Sequence, residues 1–244
     1  MSGTLLRLAV WSGPRNISTA MMRSWGNRAD TMVSDEPLYA HYLKATGLDH
    51  PGRDEVIAHH DSDALRVIDH LTCFEAPGKA IWYQKHMAHH LLPGMPREWV
   101  SKLTNVFLIR DPREMLASLL KIYPRADLPD TGLTQQVELF EQERARTGRT
   151  PPVIDARDVL MDPRGTLSRL CAAVGVAFDE RMLSWPAGPR QTDGAWAPYW
   201  YSAVNASTGF EPYSPKDDRL DPRHEPLLAR CMPFYQSLHS ARIA

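Results

Sequence analysis

Apolar residues along this chain fall into two alternating rhythms. Short apolar runs bounded by turn residues lie at 5–11, 31–34, 80–83, 105–109 and 153–156, which predicts strands. Between them the spacing turns helical. Ile17, Ala20, Met21 and Trp25 stand at i, i+3, i+4 and i+8, and further helices are predicted over 38–45, 113–123, 167–174 and 224–239. The boundaries carry matching punctuation. Asp35-Glu36-Pro37, Asp111-Pro112 and Asp162-Pro163 each place an N-cap residue and an early proline ahead of a helix, and Gly175 stops the third. Strands alternating with helices imply an α/β fold, a three-layer parallel sheet flanked by helices, as a single domain over 1–244. From 184 to 215 the periodicity vanishes and Gly, Pro, Trp and Tyr accumulate. A long irregular stretch inside a compact domain predicts a lid or binding loop.

Composition narrows the classes. The 244 residues are 43% hydrophobic and 23% charged, with 28 Lys+Arg against 29 Asp+Glu. So balanced a charge predicts no nucleic-acid or acidic-membrane partner; any anion site is local. Cys73, Cys171 and Cys231 are odd in number and widely spaced, which predicts reduced thiols and a cytoplasmic protein. No apolar run approaches membrane-spanning length.

The candidate chemistry sits where strands end. Leu8-Ala9-Val10-Trp11 stops at Ser12-Gly13-Pro14, and Arg15-Asn16-Ile17-Ser18-Thr19 opens a helix. A helix N-terminus offers unpaired N–H groups and partial positive charge, so this junction suits phosphate or sulfate. The stretch from Asn105 to Ser118 repeats the device, with Arg110 at the strand end and Ser118 two helical turns later.

Together these motifs resemble the sulfotransferases that use 3′-phosphoadenosine 5′-phosphosulfate (PAPS). Pro14-Arg15-Asn16-Ile17-Ser18-Thr19 is similar to that family's phosphosulfate loop, and Arg110 with Ser118 matches its 3′-phosphate motif in type and spacing. Lys85-His86-Met87-Ala88-His89-His90-Leu91-Leu92-Pro93 resembles the family's catalytic-histidine segment. Asp158 to Val176 resembles a later family helix, so the likeness covers residues 5–183. The resemblance implies a P-loop-NTPase-like sulfotransferase fold and PAPS as co-substrate, with the 3′,5′-bisphosphate nucleotide (PAP) as product. It implies donor binding by Pro14, Arg15, Asn16, Ile17, Ser18, Thr19, Arg110 and Ser118. Arg15 would act on the leaving group and Lys85 on the sulfuryl charge. Either His86 or Glu36 would be the general base, since some bacterial and Golgi members place a catalytic carboxylate after the second strand. Ile17 and Asn16 depart from the loop's usual glycine and serine. The family's basic nucleotide-closing loop has Gly188-Pro189-Arg190 or Ser214-Pro215-Lys216 as stand-ins.

The implied function is sulfuryl transfer to a hydroxyl or amine of a small-molecule acceptor, with 184–215 as lid or acceptor-binding loop and homo-oligomerisation left open. No metal is expected, because no carboxylate or cysteine completes the histidines at 59–60 or 86–90 into a ligand set. Two rivals remain. A P-loop kinase or NTPase would need a Gly-Lys pair before Ser18-Thr19 and a metal-binding aspartate, for which Asp155 is a poor candidate. A non-catalytic nucleotide-binding module would keep the fold without the reaction.

Overall fold

The computed structural model describes residues 4–215 and 218–243. Five strands form the centre: β1 (Leu6–Ser12), β2 (Thr31–Asp35), β3 (Ile81–Met87), β4 (Thr104–Ile109) and β5 (Val153–Asp155). All neighbours pair in parallel, in the order β2-β3-β1-β4-β5. The principal helices are α1 (Ser18–Gly26), α2 (Tyr39–Thr46), α3 (Arg53–His59), α4 (Ala64–Cys73), α5 (Pro112–Leu119), α6 (Leu133–Thr147), α7 (Ala156–Met161) and α8 (Pro163–Ala173). Two short turns, α9 (Ala197–Trp200) and α10 (Ser202–Ala206), precede the closing helix α11 (Glu225–Ser240).

Alternation along the strands sorts the two cores. Leu8, Val10, Ile81, Tyr83, Val106 and Leu108 face α1, α7 and α8, where Met21, Trp25, Val159 and Leu167 meet them. Ala9, Trp11, Trp82, Phe107 and Ile109 face α4, α6 and α11 through Leu71, Phe140 and Leu238. Side chains of this kind, taken wholly out of water, contribute roughly 1.5–3 kcal/mol each. The indole N–H of Trp11 donates to Asn105 Oδ1 at 2.9 Å, so its one polar atom is satisfied.

This sheet order places the site. After β1 the chain moves to one side of the sheet, and after β3 it crosses to the other, so a crevice opens beyond the carboxyl end of β1. Strand β3 runs to Met87, where the apolar pattern alone suggested an end at 83. The irregular stretch gains α9 and α10 and folds against α1. There Arg23, almost fully buried, pairs with buried Asp193 at 2.5 and 2.7 Å and reaches Asn205 Oδ1 at 3.1 Å.

Candidate active site

Beyond the carboxyl ends of β1, β2, β3 and β4 lies a cavity of about 540 Å³. The loop at 14–19 forms one end, with Arg110, Glu114 and Ser118. Gly13 permits the tight exit from β1, because a Cβ there would collide with the carbonyl oxygen of Thr131. Asn16 pins the loop in place: its Nδ2 donates to Leu108 O at 3.1 Å and its Oδ1 accepts from Ile17 N at 2.8 Å. Ile17 takes φ −85°, which suits any residue. The strain falls instead on Arg15, at φ 55°, in the left-handed region. Among the described residues no side chain caps the first turn of α1, which leaves its N–H groups available to a ligand.

Arg15, Arg110 and Ser118 come together as expected. Arg15 Nε donates to Ser118 Oγ at 2.9 Å, and Arg110 Nη1 donates to the carbonyl of Arg15 at 2.5 Å. Burial, and then the neighbouring Arg110, pull the Arg15 guanidinium below its ordinary value. Two crowded cations beside a helix start give this end of the cavity the chemistry that suits an anion. Arg110 is itself engaged by Glu114 at 3.0 and 3.2 Å, and Glu114 accepts from Tyr213 at 2.7 Å.

At the other end, β2 and β3 deliver a buried charge cluster. Lys85 Nζ donates to Asp35 Oδ1 at 2.9 Å, Glu36 Oε1 at 2.7 Å and the Tyr201 hydroxyl at 2.6 Å. An ammonium has three N–H bonds, and these contacts use all of them. Burial lowers the proton affinity of Lys85, but Asp35 and Glu36 outweigh it and hold the ammonium charged. Burial pushes the Glu36 carboxyl up, Lys85 opposes this, and Asp35 adds to it. Glu36, at φ 39°, is the second of two non-glycine residues with positive φ among the described residues. Flat side chains line this end, including Tyr39, Tyr42, His89, His90, Trp196 and Trp200. Tyr39 and His90 stack at 4.9 Å, and the Nδ1 atoms of His89 and His90 are buried without a hydrogen-bond partner among the described residues.

Two expected site residues lie elsewhere. His86, one of the two predicted bases, projects from the opposite face of β3, since Lys85 and Met87 take the cavity side. It is fully buried, stacked on Trp11 at 4.3 Å, and hydrogen-bonded to Gln84 at 3.2 Å. Burial holds its pKa down to about 3. Arg190 turns away from the cavity to the carbonyl of Pro186, while its backbone N–H donates to Asp193 at 2.8 Å. The other stand-in for the nucleotide-closing loop includes Lys216, which lies outside the described residues. Motif reading offers Glu114 as a helix-capping partner of Arg110, which the structure shows, and Tyr201 as one of the aromatics of the irregular stretch that could line a pocket. It passes over Asp35, whose local signal is its place at a strand end beside Glu36, and the contact of Tyr201 with Asp35 across 166 residues has no local signal.

The sheet order and the loop–helix junctions at its strand ends define an α/β fold with a cavity beyond the carboxyl edge of a parallel sheet. Residues 6–242 match the sulfotransferase domain family, and the chain belongs to that family. Its relatives include branched-chain-amino-acid aminotransferase-like proteins 1 and 2 of Arabidopsis thaliana, 41% identical over 232 residues and 37% over 230. Each match covers 94% of this chain but 41% and 40% of those proteins, so the chain spans about two fifths of their length. The sulfotransferase domain from the curacin biosynthetic pathway superposes with a TM-score of 0.54 at 13% identity, covering 95% of this chain and 99% of that one. A sulfotransferase from Alicyclobacillus acidocaldarius gives 0.52 at 14%, covering 99% and 98%. Both share the fold. No helix among the described residues is long and apolar enough to cross a membrane.

Proposed function

We propose that the cavity binds PAPS at its basic end and transfers the sulfuryl group to a hydroxyl or amine of a small-molecule acceptor at its aromatic end. The observation that supports this most is the pairing, on one cavity, of Arg15 and Arg110 at one end with Glu36 at the other. The acceptor oxygen or nitrogen attacks sulfur in line. The bond from sulfur to the bridging oxygen breaks, and the bisphosphate leaves with the electron pair. Arg15 meets the charge that grows on that bridging oxygen, and the N–H groups of Ser18 and Thr19 hold neighbouring oxygens. Arg110 and Ser118 hold the 3′-phosphate, for which Glu114 must release Arg110. Glu36 takes the acceptor's proton, because it lines the cavity and His86 does not. The names of the plant relatives describe proteins more than twice this length and are not transferred to it.

The kinase reading fares worse. Asp155, its candidate metal ligand, caps α7 by accepting from Arg157 N at 2.7 Å and takes the Tyr235 hydroxyl at 2.9 Å. Calorimetric titration with PAP and with ATP plus Mg²⁺ tests the assignment. PAP is expected to bind, and Arg110→Ala is expected to weaken it roughly 10- to 100-fold through loss of charge-assisted bonds. ATP–Mg²⁺ binding with PAP silent, or unchanged PAP affinity in the variant, overturns it.

A further inference from the structure

The two neighbouring carboxylates at the end of β2 are held very differently. Asp35 accepts from Lys85 at 2.9 Å, from the Tyr201 hydroxyl at 2.7 and 2.9 Å, and from Gly194 N at 3.3 Å. Lys85 is the single side-chain donor to Glu36 among the described residues. Tyr201 completes the arrangement from a distant segment: its oxygen accepts from Lys85 at 2.6 Å and from Trp196 Nε1 at 3.0 Å while its proton goes to Asp35. Three kinds of donor stabilise a carboxylate as an anion far better than one. A pair of acids in such unequal settings divides into a permanent charge and a working proton site.

We propose that Asp35 and Tyr201 are positioning residues that tie up every N–H bond of Lys85 and thereby leave Glu36 as the one member of the cluster that takes up and releases a proton. The inference deepens the proposed reaction and rests on it for the purpose of that proton. Lys85 here sets the state of the base; with its three N–H bonds engaged it has none to offer the sulfuryl oxygens. Asp35 and Glu36 share one positive charge, so the cluster carries one net negative charge with Glu36 ionised and none with Glu36 protonated. The further titratable groups within electrostatic reach are Tyr83 on β3, Tyr39 on α2, His60 and His90. Burial raises both tyrosines and lowers both histidines, so all four stay uncharged around neutrality. The burial that pushes Glu36 up accords with the same division. The segment carrying Tyr201 is fastened to α1 through Asp193 and Arg23, so the base depends on an irregular stretch that looks remote from it in sequence.

Carboxyl ¹³C resonances of Asp- and Glu-labelled protein, followed against pH without nucleotide, test this directly. In the wild type Glu36 is expected to titrate above the ordinary carboxylate range. Asp35→Asn removes the adjacent charge and is expected to move the Glu36 midpoint down by about one pH unit or more. Tyr201→Phe strips a donor from Asp35 and frees one N–H of Lys85, so it too is expected to move the Glu36 midpoint; this variant carries the test if Asp35→Asn fails to fold. Titration of Asp35 in place of Glu36 in the wild type, or a Glu36 midpoint unmoved by both substitutions, overturns the proposal. PAP calorimetry on the same samples separates it from the nucleotide reading. Affinity for PAP within about twofold across the variants is expected, and a failure to bind PAP with the titrations as predicted defeats that reading alone.

Discussion

The turns after β1 and β2 use one backbone device for opposite ends. Each leaves a parallel strand through a non-glycine residue with positive φ, Arg15 at 55° and Glu36 at 39°. Such a conformation costs on the order of 1–2 kcal/mol, and it aims a side chain where a relaxed turn would not. The first turn is basic and open. Among the described residues Arg15 has a hydroxyl for a partner, a second arginine for a neighbour and no carboxylate paired with it. The second is acidic and closed, its two carboxylates sharing the one positive charge of Lys85 inside the fold. One turn presents positive charge to the cavity; the other holds its ion pairs within the fold. The difference lies in what each strand end faces across the sheet, since both turns sit at equivalent places in the fold.

Removing the central charge of each turn sharpens that comparison most. Lys85→Met leaves two carboxylates at a buried site and is expected to destabilise the protein by about 3–5 kcal/mol at pH 7.5. Glu36 already has a raised pKa, so it accepts a proton as pH falls, and the deficit should shrink at pH 5. Arg15→Met removes a charge with no carboxylate partner among the described residues and is expected to cost less than about 1 kcal/mol at either pH. Urea unfolding of the three proteins at both pH values decides it. Equal losses would mean that the two turns do not differ as described.

The basic turn was legible in the sequence, whereas much of the acidic one was not. Arg15, Arg110 and Ser118 belong to strand–turn–helix motifs whose chemistry follows from local order, and the fold brings them to one cavity. Ile17 looked like an obstacle where the family carries glycine, yet φ −85° there suits isoleucine, and Arg15 takes the left-handed conformation. At β3 the local pattern misled. Ending the strand at 83 hid the two-residue alternation that sends Tyr83, Lys85 and Met87 to one face and Trp82, Gln84 and His86 to the other. His86 therefore sits in the core below the site. Asp35 and Tyr201 meet across 166 residues, a contact set by how the irregular stretch docks on α1. No periodicity within either segment encodes it.

The misplaced histidine supplies the next test. His86 is neutral in the fold with a pKa held down to about 3, against an ordinary value of 6.5. A base with a depressed folded value contributes stability that is complete above its unfolded pKa and fades as pH falls through the window toward the folded one. Between pH 6.5 and pH 5 that loss is about 2 kcal/mol for one imidazole. His86→Phe keeps the stack on Trp11 and removes the titration. Unfolding free energies at pH 7.5 and 5 should therefore fall less steeply in the variant, by about 2 kcal/mol, while the remaining buried histidines contribute equally to both proteins. Equal slopes would show that His86 takes up its proton without unfolding, as a residue in contact with the cavity would.

The smallest expected effect isolates the strain itself. Arg15→Ala and Arg15→Gly both delete the guanidinium, so both should lose the anion contact. They differ in that alanine must still be forced to φ 55°, where glycine rests freely. Glycine's larger unfolded-state entropy cancels part of the gain, leaving Arg15→Gly more stable than Arg15→Ala by about 1 kcal/mol. Paired urea unfolding resolves a difference of that size. If alanine proves as stable as glycine, the left-handed geometry is not imposed by the fold, and the first turn owes its position to the contacts Arg15 makes with Ser118 and Arg110. If the difference appears, the chain tolerates a strained arginine at the one place where a relaxed residue would point its side chain away from the cavity.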